Sequence, residues 1–368
     1  MKTDTKLRVL VLVGGTSAER DVSLATGQSV ILALRQQKHQ VLAIDTACGK
    51  KLLDTNRPLL PQGIATAPPD DVAGTTTSTE ITSALTLPET SAIDVVFLAL
   101  HGGDGEDGHV QALLDMAHVP YAGSGATASA LAMNKHLAKK IFRAENIPTP
   151  PWVFLDRDCP AGQWFCRYRD SKSDENFDPP QATDRQQLPD YDDLVRALGS
   201  PVVVKPNEQG STVGLTIVES ADQLAPAFNR AFQHGPGILV EQYIPGRELT
   251  VAILDKEALP VVEIIPEHGV YDYECKYTSG KSNYICPAEL PESVAKRLQL
   301  FGLKAFNSLG CSGYGRVDFR LNFNNECYCL EVNTLPGMTA TSLVPKAAAA
   351  IGISFPDLIE RICRLAIK

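Results

Sequence analysis

The chain has 368 residues, of which 44% are hydrophobic and 21% are charged, and its formal net charge is −9. This length allows two or three domains around a large core. The acidic balance, without any block of Lys and Arg, argues against binding to nucleic acid or to an anionic membrane surface.

No apolar run approaches membrane-spanning length. The run that follows Lys2 and Lys6 is also too short for a secretory signal peptide. The nine cysteines include no C-x-x-C pair, so we expect mostly reduced thiols and a cytoplasmic location.

The first elements are typical of a Rossmann-like layer. Residues 8–13 predict a buried strand, residues 14–20 a Gly-rich loop, and residues 21–37 a helix. The G-x-G-x-x-G fingerprint is missing, which argues against a dinucleotide oxidoreductase. Glu19, at the carboxyl end of the strand, would suit a substrate ammonium, and an ordinary exposed loop acid is the alternative.

A second strand with a Gly-rich loop follows. Residues 93–100 predict the strand, and residues 101–108 form a loop with one histidine and three acids before a helix at 110–116. His101 and His109 lack the spacing of zinc ligands, so His101 is predicted to be structural or to orient a substrate. The Pro-, Thr- and Gly-rich residues 46–91 predict loops and short helices.

The middle of the chain begins after a break at residues 121–125, where we place a domain boundary. Residues 126–146 predict one helix, and the polar residues 156–190 predict an irregular insertion. A strand at 201–205 ends in Lys205 beside a Gly- and Ser-rich loop. A lysine in that position can hold phosphates as a point charge.

Residues 215–218 predict a return strand, followed by a helix at 221–232 and strands at 238–244 and 249–254. Two acids, Glu241 and Glu248, lie on either side of the bend between the last two strands.

Residues 315–333 predict a β-hairpin that turns at Asn324–Asn325. Pairing outward from this turn places Asp318 opposite Glu331 and Arg316 opposite Asn333, with all four side chains on one face. The same register places Cys327 and Cys329 on that face, opposite Asn322 and Arg320. The other face is predicted to be apolar, with Val317, Phe319, Leu321, Phe323, Tyr328, Leu330 and Val332.

Two carboxylates directly across a strand pair repel each other, so a cation is expected between Asp318 and Glu331. Carboxylate and amide oxygens without an adjacent histidine or cysteine suit Mg²⁺ or Mn²⁺. The alternative is a surface hairpin on which Arg316 and Arg320 neutralise the acids. The Gly- and Thr-rich residues 335–342 that follow suit a phosphate or an oxyanion, which favours the metal site.

Eight blocks in the same order along the chain resemble the D-alanine–D-alanine ligases of the ATP-grasp superfamily. The blocks are GGTSAERDVSL (14–24), ALHGGDGEDG (99–108), PYAGSGATASALAMNK (120–135), VVVKPNEQGSTVG (202–214), ILVEQYIPGRELTVAIL (238–254), YDYECKY (271–277), GYGRVDF (313–319) and LEVNTLPGMTATSLVP (330–345). The segments 46–91 and 156–190 depart from the family pattern.

The resemblance implies an α/β, three-domain ATP-grasp fold with ATP between two antiparallel sheets. A Rossmann-like substrate-binding domain would span 1–123 and a central ATP-grasp subdomain 124–240. The C-terminal catalytic domain would span 241–368 and include a lid loop at 266–284.

The resemblance also implies the site residues. ATP would contact Lys135, Lys205, Glu241, Gln242, Ile244, Glu248, Lys276 and Asn333. Two Mg²⁺ or Mn²⁺ ions would bind Asp318, Glu331 and Asn333. The catalytic and substrate-binding groups would be Glu19, His101, Ser211, Tyr277, Arg316, Gly337 and Ser342.

In these roles, Glu19 would hold the ammonium of the first substrate and Ser342 the carboxylate of the second. Arg316 and the Gly337 amide would stabilise the oxyanion. Ser211 and Tyr277 would link with Glu19 to close the lid.

The implied function is ATP-dependent ligation of two D-alanines through an acyl phosphate, for peptidoglycan synthesis, by a homodimer. Two alternatives stay open. One is a sibling ligase that joins D-alanine to D-lactate or D-serine. The other is a non-catalytic regulator that binds ATP on the same scaffold.

Overall fold

The computed structural model describes residues 5–48, 52–65, 90, 92–157, 189–267, 273–278, 280–339 and 341–367. These residues form three β-sheets with helices packed against them. Among the described helices, none combines the length and the apolar character needed to span a membrane.

The N-terminal sheet is parallel, with strand order β2-β1-β3-β4. Its strands are β1 (Arg8–Val13), β2 (Gln40–Asp45), β3 (Val95–Leu98) and β4 (Tyr121–Ala122). Its helices are α1 (Arg20–Gln36) and α2 (His109–Met116), with a 3₁₀ turn at Gly103–Gly105. Because a parallel strand is covered on both faces, β1 reads as a continuous apolar run, and the predicted strand and helix are confirmed here.

The central sheet is antiparallel, with strand order β5-β8-β6-β7. Its strands are β5 (Trp152–Asp156), β6 (Val202–Pro206), β7 (Thr216–Val218) and β8 (Gly237–Gln242). Two helices, α5 (Tyr191–Leu198) and α6 (Ala221–Phe232), cover it. The predicted helix at 221–232 is confirmed, whereas most of the predicted insertion at 156–190 lies outside the described residues.

The C-terminal sheet is also antiparallel, with order β12-β11-β9-β13-β14 and β10 beside β9. Its strands are β9 (Arg247–Leu254), β10 (Glu257–Ala258), β11 (Val262–Pro266), β12 (Ser282–Ile285), β13 (Tyr314–Leu321) and β14 (Cys327–Asn333). The helices of this half of the chain are α7 (Tyr273–Tyr277), α8 (Glu292–Ser308), α9 (Leu343–Ala349) and α10 (Phe355–Leu365).

The single helix predicted at 126–146 is wrong, because two helices occupy this stretch. They are α3 (Ala126–Met133) and α4 (Lys135–Ala144). Asn134 separates them with an extended backbone, and its Oδ1 accepts a hydrogen bond of 3.0 Å from the backbone N–H of Leu137. Asparagine is a favourable N-cap for this reason, and the cap makes Lys135 the first residue of α4.

The hairpin of β13 and β14 turns differently from the prediction. The backbone N–H of Asn322 donates to the carbonyl of Glu326 at 2.9 Å, so residues 323–325 form a three-residue loop. Asn325 closes the loop with a φ of 61°, a left-handed conformation that asparagine tolerates. The predicted two-residue turn at Asn324–Asn325 is therefore wrong, and pairing near the loop is displaced by one residue.

A β-bulge cancels this displacement. Phe319 pairs with Cys329, but the preceding residue, Asp318, pairs with Glu331. Leu330 is the extra residue of the bulge. The predicted opposition of Asp318 and Glu331 is therefore confirmed, although it arises from two irregularities that compensate for each other.

The displaced register sends Cys327 and Cys329 into the core. They are 3% and 0% exposed, and they pair with Leu321 and Phe319. Their predicted positions opposite Asn322 and Arg320, on the face of the acids, are wrong. The predicted apolar face is wrong in part, because Phe323 is 82% exposed and Leu330 lines a cavity.

Buried side chains connect distant parts of the chain. Leu358 and Ile362 of α10 share a core with Leu10 of β1, and Ala138 and Phe142 of α4 share a core with the C-terminal sheet. The last helix thus returns to the N-terminal sheet. The packing of α4 brings Lys135 to the junction between the central and C-terminal sheets.

Candidate functional site

A cavity with an empty volume of about 1010 Å³ opens between the central and C-terminal sheets. We call it the larger cavity. Of the residues predicted to bind ATP or metal, it is lined by Lys135, Lys205, Glu241, Gln242, Ile244, Glu248, Lys276, Asp318 and Glu331. The structure thus brings together side chains from β6, β8, β9, β13 and β14.

A second cavity, of about 870 Å³, lies where the loops after β1 and β3 approach α9. We call it the smaller cavity. Its lining includes Glu19, His101, Ser211, Arg316, Asn333, Gly337 and Ser342. Gly210, Ser211, Lys276 and Glu331 line both cavities, so the two spaces meet at these residues.

Tyr277 is the one predicted site residue whose side chain lies outside the described part of the chain. Its backbone is the last residue of α7. The neighbouring Lys276 places its Nζ 3.3 Å from Thr212 Oγ1 in the loop after β6.

Asp318 is held by two neighbours. Arg316 donates to its two carboxylate oxygens, from Nε and Nη2, at 2.8 Å each. Thr250 Oγ1 donates to Oδ1 at 2.7 Å. The bidentate arginine pair fixes the orientation of this carboxylate.

Glu331 lies among cations. Its Oε2 is 3.2 Å from Nζ of Lys135. Burial opposes its ionisation, but the pKa of Glu331 is lowered to about 2 by attraction to Lys135, Lys205, Lys276 and Arg316. The carboxylate is therefore ionised at neutral pH.

The oxygen donors on this face fit a hard divalent cation. Asp318 and Glu331 oppose each other across the strands, and Asn333 follows Glu331 by two residues on the same strand. Carboxylate and amide oxygens are the ligands that Mg²⁺ and Mn²⁺ prefer. The alternative, in which Arg316 and Arg320 neutralise the acids of the hairpin, is supported for Arg316 alone, which pairs with Asp318. Arg320 instead lies 3.4 Å from Glu248 on β9.

Glu19 is enclosed by two loops. It is 8% exposed, and Ser211 Oγ donates to its Oε1. A Cβ atom at Gly102 or Gly210 would lie 3.0 or 3.2 Å from its Oε2. The glycines therefore allow the loops after β3 and β6 to approach this carboxylate closely.

His101 is buried beside another acid. Its Nε2 lies 2.9 Å from Thr26 Oγ1, and its Nδ1 lies 3.5 Å from Glu106 Oε1. Burial raises the pKa of Glu106, although the hydrogen bond with His101 acts to lower it. His109 instead lies on the surface, with its Nδ1 2.7 Å from Asp107 Oδ1, so the two histidines belong to different environments.

Ser342 lies at the N-terminus of α9. Its Oγ accepts a hydrogen bond of 3.0 Å from the backbone N–H of Thr339. A Cβ atom at Gly337 would lie 3.2 Å from the same Oγ. The absence of a side chain at Gly337 leaves room around the Ser342 hydroxyl.

The sequence prediction missed the roles of two residues, one behind the wall of the larger cavity and one in its lining. Lys139 is fully buried and lies 3.0 Å from Glu241 Oε2. Its spacing of four residues from Lys135 in a helix places both lysines on one side of α4, and this signal could have found it.

Arg320 is the other residue whose role was missed. Its Nε donates to the carbonyl of Ile244 at 3.0 Å, and its Nη2 donates to the carbonyl of Gly246 at 2.9 Å. It thereby ties the link between β8 and β9 to β13. No sequence pattern indicates these contacts with backbone carbonyls that lie more than 70 residues earlier in the chain.

Comparisons with known proteins agree on one family. The family model described as D-ala D-ala ligase N-terminus matches residues 8–124, and the one described as D-ala D-ala ligase C-terminus matches residues 177–364. A D-alanine–D-alanine ligase of Syntrophotalea carbinolica is 40% identical over 96% of this chain and 94% of the relative. One of Geobacter sulfurreducens is 41% identical over 96% of this chain and 92% of the relative.

Solved structures give the same result. The D-alanine–D-alanine ligase of Bacillus anthracis complexed with ATP is similar with a TM-score of 0.71 and 30% identity, over 99% of this chain and 98% of the other. The ligase of Coxiella burnetii is similar with a TM-score of 0.74 and 26% identity, over 98% of this chain and 94% of the other.

Proposed function

This chain belongs to the D-alanine–D-alanine ligase family, and from this premise we propose how its residues carry out the reaction. It is an ATP-dependent ligase that forms D-alanyl-D-alanine for cell-wall synthesis. The observation that carries the assignment of roles is the meeting of the larger and smaller cavities at Glu331, Lys276, Gly210 and Ser211. A nucleotide in one and amino acids in the other would touch at this point.

ATP would occupy the larger cavity. The backbone of Gln242–Ile244 and the side chain of Glu241 would contact adenine, and Glu248 would contact the ribose. Lys135 and Lys205 would contact the phosphates as point charges. Lys276, from the predicted lid, would approach the phosphates near the boundary with the smaller cavity.

Two Mg²⁺ or Mn²⁺ ions are proposed on Asp318, Glu331 and Asn333, and the oxygen-only donor set supports this assignment. When bound, such ions neutralise charge on the transferring phosphoryl group. Arg316 already holds Asp318 in a fixed orientation, so this carboxylate is preorganised.

The two D-alanines would occupy the smaller cavity. Glu19 would hold the ammonium of the first, and Ser342 would hold the carboxylate of the second. One carboxylate oxygen of the first D-alanine would attack the γ-phosphorus of ATP, which gives an acyl phosphate and ADP.

The amine of the second D-alanine would then attack the acyl carbon. Arg316 and the backbone N–H of Gly337 would stabilise the resulting oxyanion. The intermediate would collapse to the dipeptide, and the amine proton and inorganic phosphate would leave. His101, with Thr26 and Glu106 around its ring, would orient the substrate.

An acyl phosphate hydrolyses in water, so the site has to close during the reaction. The segment 266–284 is proposed as the lid. The contact between Lys276 and Thr212 and the hydrogen bond from Ser211 to Glu19 support a closure that joins three loops. Tyr277 is proposed to belong to the same contact.

Three further features belong to the proposal. The domain boundaries are placed near residues 123 and 240, and a homodimer is proposed on the family resemblance alone. A cytoplasmic location is proposed because the nine cysteines of the sequence include no C-x-x-C pair and are expected to be mostly reduced.

A competition experiment tests this assignment. The enzyme is incubated at neutral pH with ATP, Mg²⁺ and equal amounts of D-alanine, D-lactate and D-serine, and the products are identified by mass spectrometry. We expect D-alanyl-D-alanine as the main product. A depsipeptide or a D-serine product would indicate a sibling ligase, and absence of ADP release would indicate a non-catalytic ATP-binding protein.

A further inference from the structure

The ammonium group of a buried lysine lies behind the wall of the larger cavity. Lys139, on α4, has 0% of its side chain exposed, and its Nζ lies 3.0 Å from Glu241 Oε2. The other oxygen of the same carboxylate, Oε1, lies 2.6 Å from Nζ of Lys205. Two ammonium groups thus share one carboxylate, and Lys205 is the one that lines the cavity.

Three elements fix this arrangement. Lys139 is on α4, Lys205 is on β6, and Glu241 is on β8, where it pairs with Trp152 of β5. The Lys139 ammonium also donates to Thr149 Oγ1 at 2.8 Å and lies 5.1 Å from the centre of a Trp152 ring. These contacts partly compensate for the removal of the ammonium from water.

The charges of the three groups do not cancel. Two ammonium groups and one carboxylate leave a net charge of +1. Without Lys139, the pair of Lys205 and Glu241 would be neutral, and the carboxylate would compensate the whole charge of Lys205 at the cavity wall. With Lys139 on the far side, Glu241 is shared, and positive charge is left over on the side that faces the cavity.

We propose that Lys139 is a positioning residue for the phosphates of ATP. Its ammonium group compensates part of the charge of Glu241 and orients this carboxylate from the side away from the cavity. The positive charge of Lys205 therefore stays available to the nucleotide. This inference rests on the proposed function, in which Lys205 contacts the phosphates. It assigns to Lys139 an effect on phosphate binding without any contact between Lys139 and ATP.

The arrangement responds to pH. Burial lowers the pKa of Lys139 to about 8, although attraction to Glu241 opposes this shift. The other titratable groups that act on it are Lys205 and the thiol of Cys329, whose own pKa burial raises, so that the thiol stays neutral. As the pH rises through about 8, Lys139 loses its proton and the net charge of the group falls to zero.

Replacement of Lys139 by methionine tests the inference. The binding of ATP and of adenosine is measured by calorimetry for the wild type, Lys139→Met and Lys140→Met, the last of which removes the next lysine of α4 as a matched control. We expect Lys139→Met to weaken ATP binding by roughly tenfold, as for one lost charge near a phosphate. Adenosine has no phosphate, so its affinity should be unchanged, and Lys140→Met should bind both ligands like the wild type.

Two results would overturn the inference. One is an ATP affinity that Lys139→Met leaves unchanged. The other is an equal loss for adenosine and ATP, since that would mean that Lys139 only supports the base-binding part of the cavity. If the wild type itself does not bind ATP, the proposed function fails instead, so the two failures are distinguishable.

A measurement on the wild type covers the case in which Lys139→Met does not fold. The affinity for ATP should decrease as the pH rises through about 8, whereas the affinity for adenosine should not. Because ATP gains rather than loses negative charge over this range, its own titration would act in the opposite direction. An ATP affinity that stays constant between pH 7 and pH 9 would contradict the inference.

Discussion

The two carboxylates of the β13–β14 hairpin, Asp318 and Glu331, differ in the neighbours that hold them. Asp318 is held by a bidentate arginine and a threonine. Glu331 is surrounded by Lys135, Lys205, Lys276 and Arg316, which lower its pKa to about 2 although burial opposes its ionisation. Both carboxylates are therefore placed by fixed partners before any ion arrives, which is a form of electrostatic preorganisation.

Replacement of either carboxylate should abolish ligation. Asp318→Ala and Glu331→Ala each remove a proposed metal ligand, and we expect kcat to fall by about 10³-fold or more. ADP release in the presence of D-alanine and Mg²⁺ measures the effect. Glu326→Ala removes an exposed acid of the same hairpin and serves as the control, and near-normal turnover of either site variant would remove the metal assignment.

A buried histidine makes stability depend on pH. His136 is 6% exposed, and its Nδ1 accepts a hydrogen bond of 3.0 Å from Trp152 Nε1, which requires an unprotonated nitrogen. Burial, with a smaller effect of Lys140, lowers the pKa of His136 to about 4. The unfolded chain therefore takes up a proton at higher pH than the folded chain does.

His136 should thus destabilise the fold as the pH falls. Between pH 7 and pH 5 the free energy of unfolding should decrease by about 2 kcal/mol on account of this residue, and the loss should level off below the folded pKa. Urea unfolding at both values, compared with His136→Gln, isolates the effect. The variant keeps a hydrogen-bond acceptor, and an equal pH dependence in both proteins would show that His136 does not titrate as described.

At the scale of elements, the β13–β14 hairpin shows what local sequence can predict. Alternation of apolar and polar residues identified the two strands and the opposition of Asp318 and Glu331. It could not identify the three-residue loop or the bulge at Leu330, because these depend on which side chains the core accepts. Cys327 and Cys329 are small and apolar enough to be buried, and their burial sets the register near the loop.

The left-handed residue of the loop gives a test of this description. Asn325 has a φ of 61°, so Asn325→Gly should leave stability unchanged or slightly higher. Asn325→Val should lower the free energy of unfolding by about 1–2 kcal/mol, because a β-branched side chain is strained there. Urea unfolding of the two variants measures the difference, and equal stability would mean that the loop has another conformation.

The segment 52–65, which lies outside the family blocks, reaches the smaller cavity. Arg35 Nη1 donates to the carbonyl of Thr55, and the backbone N–H of Leu59 donates to Gln28 Oε1, both at 2.9 Å. These bonds attach the segment to α1. Its residue Ile64 lines the cavity together with three other apolar side chains, Val22, Tyr284 and Leu343.

Ile64 should therefore limit the size of the substrate side chain. We expect Ile64→Ala to raise kcat/KM for D-2-aminobutyrate relative to D-alanine by about tenfold, a typical value for one methylene in an apolar pocket. Competition between the two amino acids measures this ratio. Ile351→Ala, at an exposed position, is the control, and an unchanged ratio in Ile64→Ala would show that Ile64 does not contact the substrate.

At the scale of the whole molecule, the sequence predicted more of the site than of the topology. The ordered family blocks identified the fold class, and every proposed site residue whose side chain is described lines one of the two cavities. Three features were not predicted: the break between α3 and α4 at Asn134, the return of α10 to the N-terminal sheet, and the ammonium group of Lys139 beside Glu241. Each depends on contacts between residues far apart in the chain, and local periodicity carries no information about such contacts.

Transfer of oxygen from D-alanine to phosphate tests the central claim most directly. The enzyme is given ATP, Mg²⁺ and D-alanine labelled with ¹⁸O in its carboxylate, and the released phosphate is analysed by mass spectrometry. If the first carboxylate attacks the γ-phosphorus where the two cavities meet, each phosphate should carry one ¹⁸O atom, with ADP and dipeptide formed in equal amounts. Unlabelled phosphate, or AMP and pyrophosphate as products, would contradict the acyl-phosphate account.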